Sequence, residues 1–293
     1  MNFFDMDTPN FFKTPKRSLY AFIFVFTLIC FQLPAHGQVK QPEVRSADNP
    51  KTPLGQGFDN RFGGGIMVNN FGFGIGGTYS HAIGPYSEFT FSIGITGIRD
   101  ASEQSFQNFF TGNNVVPNKF NRVLGFPVMF GLKKRIFPRQ VADNFRFFVA
   151  ASAGPALGLV YPYFEDDNNS GFRDFIIDPR GFRRPIEDRN SFFGGLGDAS
   201  SQLGGAGEIK IGVDLGSNFK RQSTLEIGYF FYYFNEGLQL GEPNRPFGFQ
   251  PCPGNQAFGC PVAVNSQGER RSFLDPQKFF GTPQIRFTFS GWW

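Results

Sequence analysis

The sequence predicts an all-β fold: an eight-stranded antiparallel transmembrane β-barrel with long extracellular loops. Three observations lead there. First, the 293 residues include 42 Phe and 37 Gly, yet the mean hydropathy is only −0.24. Alternating strands joined by Gly-rich turns produce that mixture of bulky rings and polar residues. The same 37 Gly and 21 Pro oppose long helices, since Gly costs about 1 kcal/mol and Pro about 3 kcal/mol at a helix-interior position. Second, eight segments alternate apolar and polar residues with a period of two, the mark of a strand with one oily and one polar face. Third, the connections between them alternate in length, except that the Asn69-Asn70 hairpin is short on the long-loop side. Short ones fall at 83–86, 134–144 and 217–222, and long ones at about 100–120, 162–205 and 236–280. A barrel with short periplasmic turns and long extracellular loops has that rhythm.

Residues 1–37 read as an export signal. Lys13, Lys16 and Arg17 precede the apolar run Leu19–Phe31, and Ala35 and Gly37 supply small residues for cleavage before Gln38. The run is shorter than the roughly 20 residues a spanning helix needs. Residues 38–59, with several prolines and few large apolar side chains, read as a flexible periplasmic leader, and 60–293 as the barrel. The small positive net charge, +4, gives no sign of nucleic-acid binding.

The first two strands are Phe62, Ile66, Val68 and then Phe71, Phe73, Ile75, Tyr79. The apolar parity switches across Asn69-Asn70, which predicts a tight hairpin with Asn supplying positive φ. Phe89, Phe91, Ile93 and Ile95 mark the third strand, and Leu124 to Leu132 the fourth, where Pro127 predicts a bulge or a local gap in pairing. Phe145–Tyr161 is the fifth, with small residues at its middle. Gly207–Gly216 and Thr224–Phe234 are the sixth and seventh, and "IRFTFSGWW" the eighth. Most are roughly 9 to 13 residues, enough for a tilted strand to cross a bilayer. The apolar faces then meet lipid. The opposite faces, rich in Gly, Ser and Thr, line a narrow interior in which Glu88, Lys133, Arg146, Glu208, Lys210, Asp214, Glu226 and Arg286 can pair. An eight-stranded barrel is filled by its own side chains and leaves no open pore.

The closing strand resembles the β-signal of bacterial outer-membrane barrels, with Ile285, Phe287, Phe289 and Trp293 as its alternating apolar positions. "LGFPVMFGLKK" followed by "FRFFVAASAGPALGLVY" is similar to small outer-membrane β-barrel domains of the PorT and OmpX type. The resemblance implies an outer-membrane location and recognition by the barrel-assembly machinery. It also implies roles ranging from secretion-complex components to surface proteins. Trp292 and Trp293 are both expected in the periplasmic aromatic girdle.

Candidate chemistry is sparse. Enzymatic barrels rely on a His with Ser or a carboxylate, and the chain after residue 37 has only His81, beside the 83–86 turn. That reads as a structural position and the protein as non-enzymatic. In "DDNNSGFRD", Asp166, Asn168, Ser170, the Phe172 carbonyl and Asp174 have the spacing of a calcium loop, but Ile177 stands where a carboxylate belongs. Chance polar patterning gives the same near match, so calcium is a candidate ligand and no other cofactor is implied. Cys252 and Cys260 read as a loop disulfide in an oxidising compartment. Arg180, Arg183, Arg184 and Arg189 are candidates for lipopolysaccharide phosphates, with Asp174, Asp178, Glu187 and Asp188 able to neutralise them instead. The expected partners are thus outer-membrane lipids and lipopolysaccharide, the assembly machinery, and a protein held by the extracellular loops.

Overall fold

A computed structural model describes residues 49–100, 103, 106–107, 114–191 and 193–293. The predicted export signal, residues 1–37, lies outside them. The eight barrel strands are β1 Asn60–Asn69, β2 Gly72–Gly84, β3 Ser87–Ile98, β4 Asn121–Arg135, β5 Phe145–Pro162, β6 Ser200–Leu215, β7 Gln222–Leu238 and β8 Gln277–Trp292. Each pairs antiparallel with its chain neighbours, and β1 pairs with β8 from Arg61↔Trp292 to Asn69↔Gln284. The ring is closed, so no strand edge is left to lipid, where unpaired backbone groups would be costly.

All eight predicted strands are present, and β6 and β8 extend further toward the long-loop end than their alternation indicated. The hairpin between β1 and β2 turns at Asn70-Phe71. Its positive φ is carried by Gly72, at 122°, and not by an asparagine. Asn69 contributes instead through its side-chain oxygen, which accepts the Phe71 N–H at 2.9 Å. At Pro127 the register is kept on both sides, but Gly94 and Ile95 of β3, paired with β2 on their other side, find no partner on β4, which is the expected gap.

The outward faces form an apolar belt. Phe73, Leu203, Ile209, Phe289 and Leu132 are each at least 60% exposed, an arrangement that only a lipid surround makes favourable. The interior is stacked in two zones. Nearest the short turns lie two linked groups of charges. Arg61 bonds Glu88 at 2.9 Å and Lys133 bonds Asp214 at 2.6 Å. Deeper in, Glu208 meets Arg286 at 3.0 Å and Lys210 at 2.8 Å, and Lys210 also reaches Glu226 at 3.2 Å. Arg61, absent from the sequence-based set, has the inward parity of β1 and adds a cation. Arg146 faces the mouth, bonding the Gly216 carbonyl oxygen at 3.0 Å.

Above the charges the interior turns apolar. Phe230, Tyr232, Phe234, Met129, Ile98 and Phe280 pack as one buried cluster that closes the barrel toward the long loops. Gly125 makes this possible: a Cβ there would sit 2.7 Å from Tyr232 Cζ.

Two expectations at the periplasmic end are corrected. Trp292 is buried inside the barrel, donating from Nε1 to Gln222 Oε1 at 3.0 Å and packing edge-on against Phe219. Only Trp293 faces outward. The cause is parity, since position 292 continues the inward series Gln284, Arg286, Thr288. The described part of the leader, 49–59, is docked on the mouth. The Lys51 N–H donates to both Asp143 carboxylate oxygens at 3.1 Å, Arg135 donates to the Lys51 carbonyl at 2.9 Å, and Phe58 packs against Phe219.

Candidate functional site

The long-loop end is where the chain departs from a plain barrel. Within 163–199, Phe175–Ile177 pairs with Arg183–Pro185; within 239–276, Gly248–Cys252 pairs with Asn255–Val262. Ile177 opposite Gly259 joins the two ribbons into one four-stranded sheet, so both loops form a single crown. Cys252 and Cys260 are bonded, with sulfurs 2.09 Å apart, and close the second ribbon.

The crown is stitched at its base. The Asn244 side chain donates to the Ser170 carbonyl at 2.9 Å, and its N–H to the Gly171 carbonyl at 3.2 Å. Glu242 accepts the Arg173 N–H at 3.0 Å, and Glu187 accepts the Asp174 N–H at 2.9 Å. Both carboxylates are half-buried. Burial pushes Glu242 up to about 7, and burial with the nearby Asp174 and Asp166 charges pushes Glu187 up to about 7. Burial also raises Asp174.

Beside the stitch lies a cleft of about 460 Å³ lined by Phe172, Phe175, Phe249, Phe273, Arg173, Arg183, Arg245 and Glu242. Arg183 stacks over Phe175 at 4.8 Å and Arg245 over Phe273 at 5.5 Å, so the cleft offers flat apolar surfaces edged by guanidiniums. Its volume lies in the range of small-ligand sites.

The calcium-loop residues come together, but in a turn that uses their oxygens itself. Asp166 accepts the N–H groups of Ser170 at 2.8 Å and Gly171 at 2.9 Å through separate oxygens. Ser170 Oγ donates to the Phe172 carbonyl at 2.7 Å, and Asn168 donates to Asp174 at 2.6 Å. The geometry gives "DDNNSG" another purpose: it tightens the turn carrying Phe172 and Arg173 into the cleft. Among the described residues no group of three or more His, Cys, Asp or Glu is placed to hold a metal ion.

The arginines predicted as one set separate. Arg184 pairs with Asp178 at 3.3 Å, Arg183 lines the aromatic cleft, and Arg189 lines a different cavity with Arg122 and Arg173. His81 sits outward near the periplasmic turn, its Nδ1 2.9 Å from Asn60 Oδ1, which also accepts the Tyr79 hydroxyl at 2.6 Å. Ile285, Phe287 and Phe289 lie on the outward face of β8, and Trp293, just past its end, is exposed as well. Sequence reasoning missed Arg122, Arg173 and Glu242. Arg122 shares the parity of Leu124 and was legible by that rule, whereas nothing local marks Glu242.

No protein-family model and no curated protein matches this chain. Among solved structures it is similar to the N-terminal β-barrel domain of Pseudomonas aeruginosa OprF, at 7% identity over 79% of this chain and 96% of that one, with a TM-score of 0.34. It is also similar to Neisserial surface protein A, at 8% identity over 80% and 96%, TM-score 0.34. A third likeness is to Ail, the attachment invasion locus protein of Yersinia pestis, at 6% identity over 80% and 98%, TM-score 0.33. The closed ring, the apolar belt and the charge-filled interior are those of a small eight-stranded transmembrane β-barrel.

Proposed function

We propose that this barrel is a non-enzymatic surface protein whose crown holds a partner outside the cell. The observation that carries the reading is the union of two separate loops into one sheet around an aromatic, guanidinium-edged cleft. A membrane anchor alone needs no such cleft, and the filled barrel leaves little interior for transport. Aromatic rings with Arg beside them are the side chains on which binding energy concentrates at interfaces. The strand below serves assembly: Ile285, Phe287, Phe289 and Trp293 present the outward signal for the barrel-assembly machinery.

A second reading, a component of a secretion or transport complex like the PorT relatives, draws on the docked leader, which gives the periplasmic mouth a built surface. Affinity purification from outer membranes separates the two. Proteins retained by the intact barrel and lost from a Phe175→Ala/Phe249→Ala variant support the crown. Proteins retained equally by both, and lost when residues 49–58 are replaced by a Gly-Ser segment, sink it in favour of the complex.

A further inference from the structure

We propose that residues 49–56 are a hinged lid that closes the periplasmic mouth of the barrel, whatever the crown holds at the other end. The lid belongs to a strap, 49–59, that contains one 3-10 turn, Leu54–Gln56, and no strand. Point contacts hold it in place of a ladder, so lifting it breaks no bond of the closed ring.

The strap crosses the mouth from one side to the other. At its root the Asp59 carbonyl accepts the Ala82 N–H at 2.8 Å, and the Asp59 and Asn60 N–H groups donate to the Trp293 carbonyl at 3.3 Å. The root is thus fixed beside the seam of β1 and β8. Phe58 lies 6.4 Å from Phe219, whose ring meets Trp292 edge-on at 6.4 Å. At the far end Lys51 is held by Asp143 and Arg135. Residues 136–144 join β4 to β5, the two strands opposite the seam in the ring of eight. Between these ends Pro53 roofs a cavity of about 20 Å³ lined by Tyr86, Arg135, Arg146, Gln222 and Trp292, which is room for about one water molecule.

Three observations make this a hinge in place of a fixed cap. Gly57 separates root from lid at φ 79°, with nothing crowding its Cα, and a hinge needs only such a residue to absorb the change in direction. One hydrogen bond among the described residues, from the Phe58 N–H to the Pro53 carbonyl at 3.0 Å, ties the root to the lid across that glycine. The Lys51 bonds to Asp143 are exposed, so water competes for them. Beneath the lid, Arg146 Nε and Nη2, Arg135 Nε and Gln222 Nε2 have no acceptor in the protein. Buried donors left in that state are costly, and the apolar cluster blocks the long-loop end. Water reaches them by way of the mouth, so the floor itself opposes closure and keeps the lid releasable.

The test reads Trp292, which lines the roofed cavity, by acrylamide quenching of the folded Trp293→Phe barrel in maltoside micelles. Two variants confined to the strap lift the lid. Lys51→Pro removes the N–H that Asp143 accepts, and Gly57→Val disfavours the left-handed backbone of the docked state. Each is expected to raise the quenching constant at least about threefold, as local opening over a shielded ring implies. Phe175→Ala, in the crown, should leave it unchanged, and heat-modifiable migration on gels verifies that each barrel is folded. Quenching that is equal with and without the strap substitutions overturns the lid. Amide exchange in the wild type tests the hinge: Lys51, on the lid, should exchange at least about tenfold faster than Ala82, which is bonded to the root. Equal protection of the two amides overturns a lid that moves apart from its root.

Discussion

The barrel floor and the crown stitch are both clusters of charged residues, the first buried and the second half-buried, and they are wired in opposite ways. In the floor, carboxylates meet cations side chain to side chain: Asp214 with Lys133 at 2.6 Å, Glu208 with Lys210 and Arg286 at 2.8 and 3.0 Å. In the stitch, Glu242 and Glu187 meet backbone N–H groups, while Arg173 directs its Nε to a carbonyl oxygen. Acids held without a dedicated cation climb toward neutrality, here to about 7 for both glutamates. The floor is built to stay shut, whereas the stitch sits close to a protonation change.

Breaking the floor should give the largest effect. Asp214→Ala leaves Lys133, Arg61 and Thr224 without their shared acceptor. It should cost about 3–5 kcal/mol, the range for removing one partner of a buried ion pair. Urea titration of the folded-to-unfolded band shift measures it, and a loss under about 1 kcal/mol would show that water replaces the pair.

The stitch should respond to pH instead. A carboxyl raised from 4.5 to about 7 on folding favours the docked crown fully below pH 4.5, and that stabilisation is lost as pH rises through about 7. The charges facing Glu242 are Arg173, Glu187 and Arg183, and those facing Glu187 are Asp174, Asp166 and Arg173. Hydrogen exchange at Ile177 and Gly259, corrected for the intrinsic rate, should show opening that increases severalfold from pH 5 to pH 8. Glu187→Gln/Glu242→Gln should flatten the trend; an unchanged slope would place the titrating groups elsewhere.

The smallest effect is expected from Cys252→Ser. The closed loop spans a sequence separation of 8, so the cross-link removes only a little freedom from the unfolded chain. Protease nicking within 248–262 should rise while the urea midpoint of the barrel holds, and a shifted midpoint would mean the crown and barrel unfold together.

What the sequence disclosed follows the same division. Parity along each strand assigns the faces correctly, and it would have placed Arg61 and Trp292 inside had it been applied to every residue. The girdle expectation set aside that rule in favour of an end-of-strand habit. The crown was illegible because its sheet depends on Ile177 meeting Gly259 and on Glu242 reaching Arg173, contacts between segments far apart in the chain. The calcium-like spacing is a related case: a turn that satisfies its own N–H groups needs the same Asp, Asn, Ser and Gly as one that binds an ion.

The opposed Trp292 and Trp293 also give the protein an optical property. They are its only tryptophans; one lies beneath Arg61 inside the barrel, 5.4 Å from the guanidinium, and the other is 59% exposed on the outer wall. Brominated acyl chains should quench emission from Trp293 and spare Trp292, whose signal instead depends on the first and last strands having met. A single stopped-flow fluorescence trace during refolding can thus time the arrival of the chain in lipid separately from the sealing of its seam.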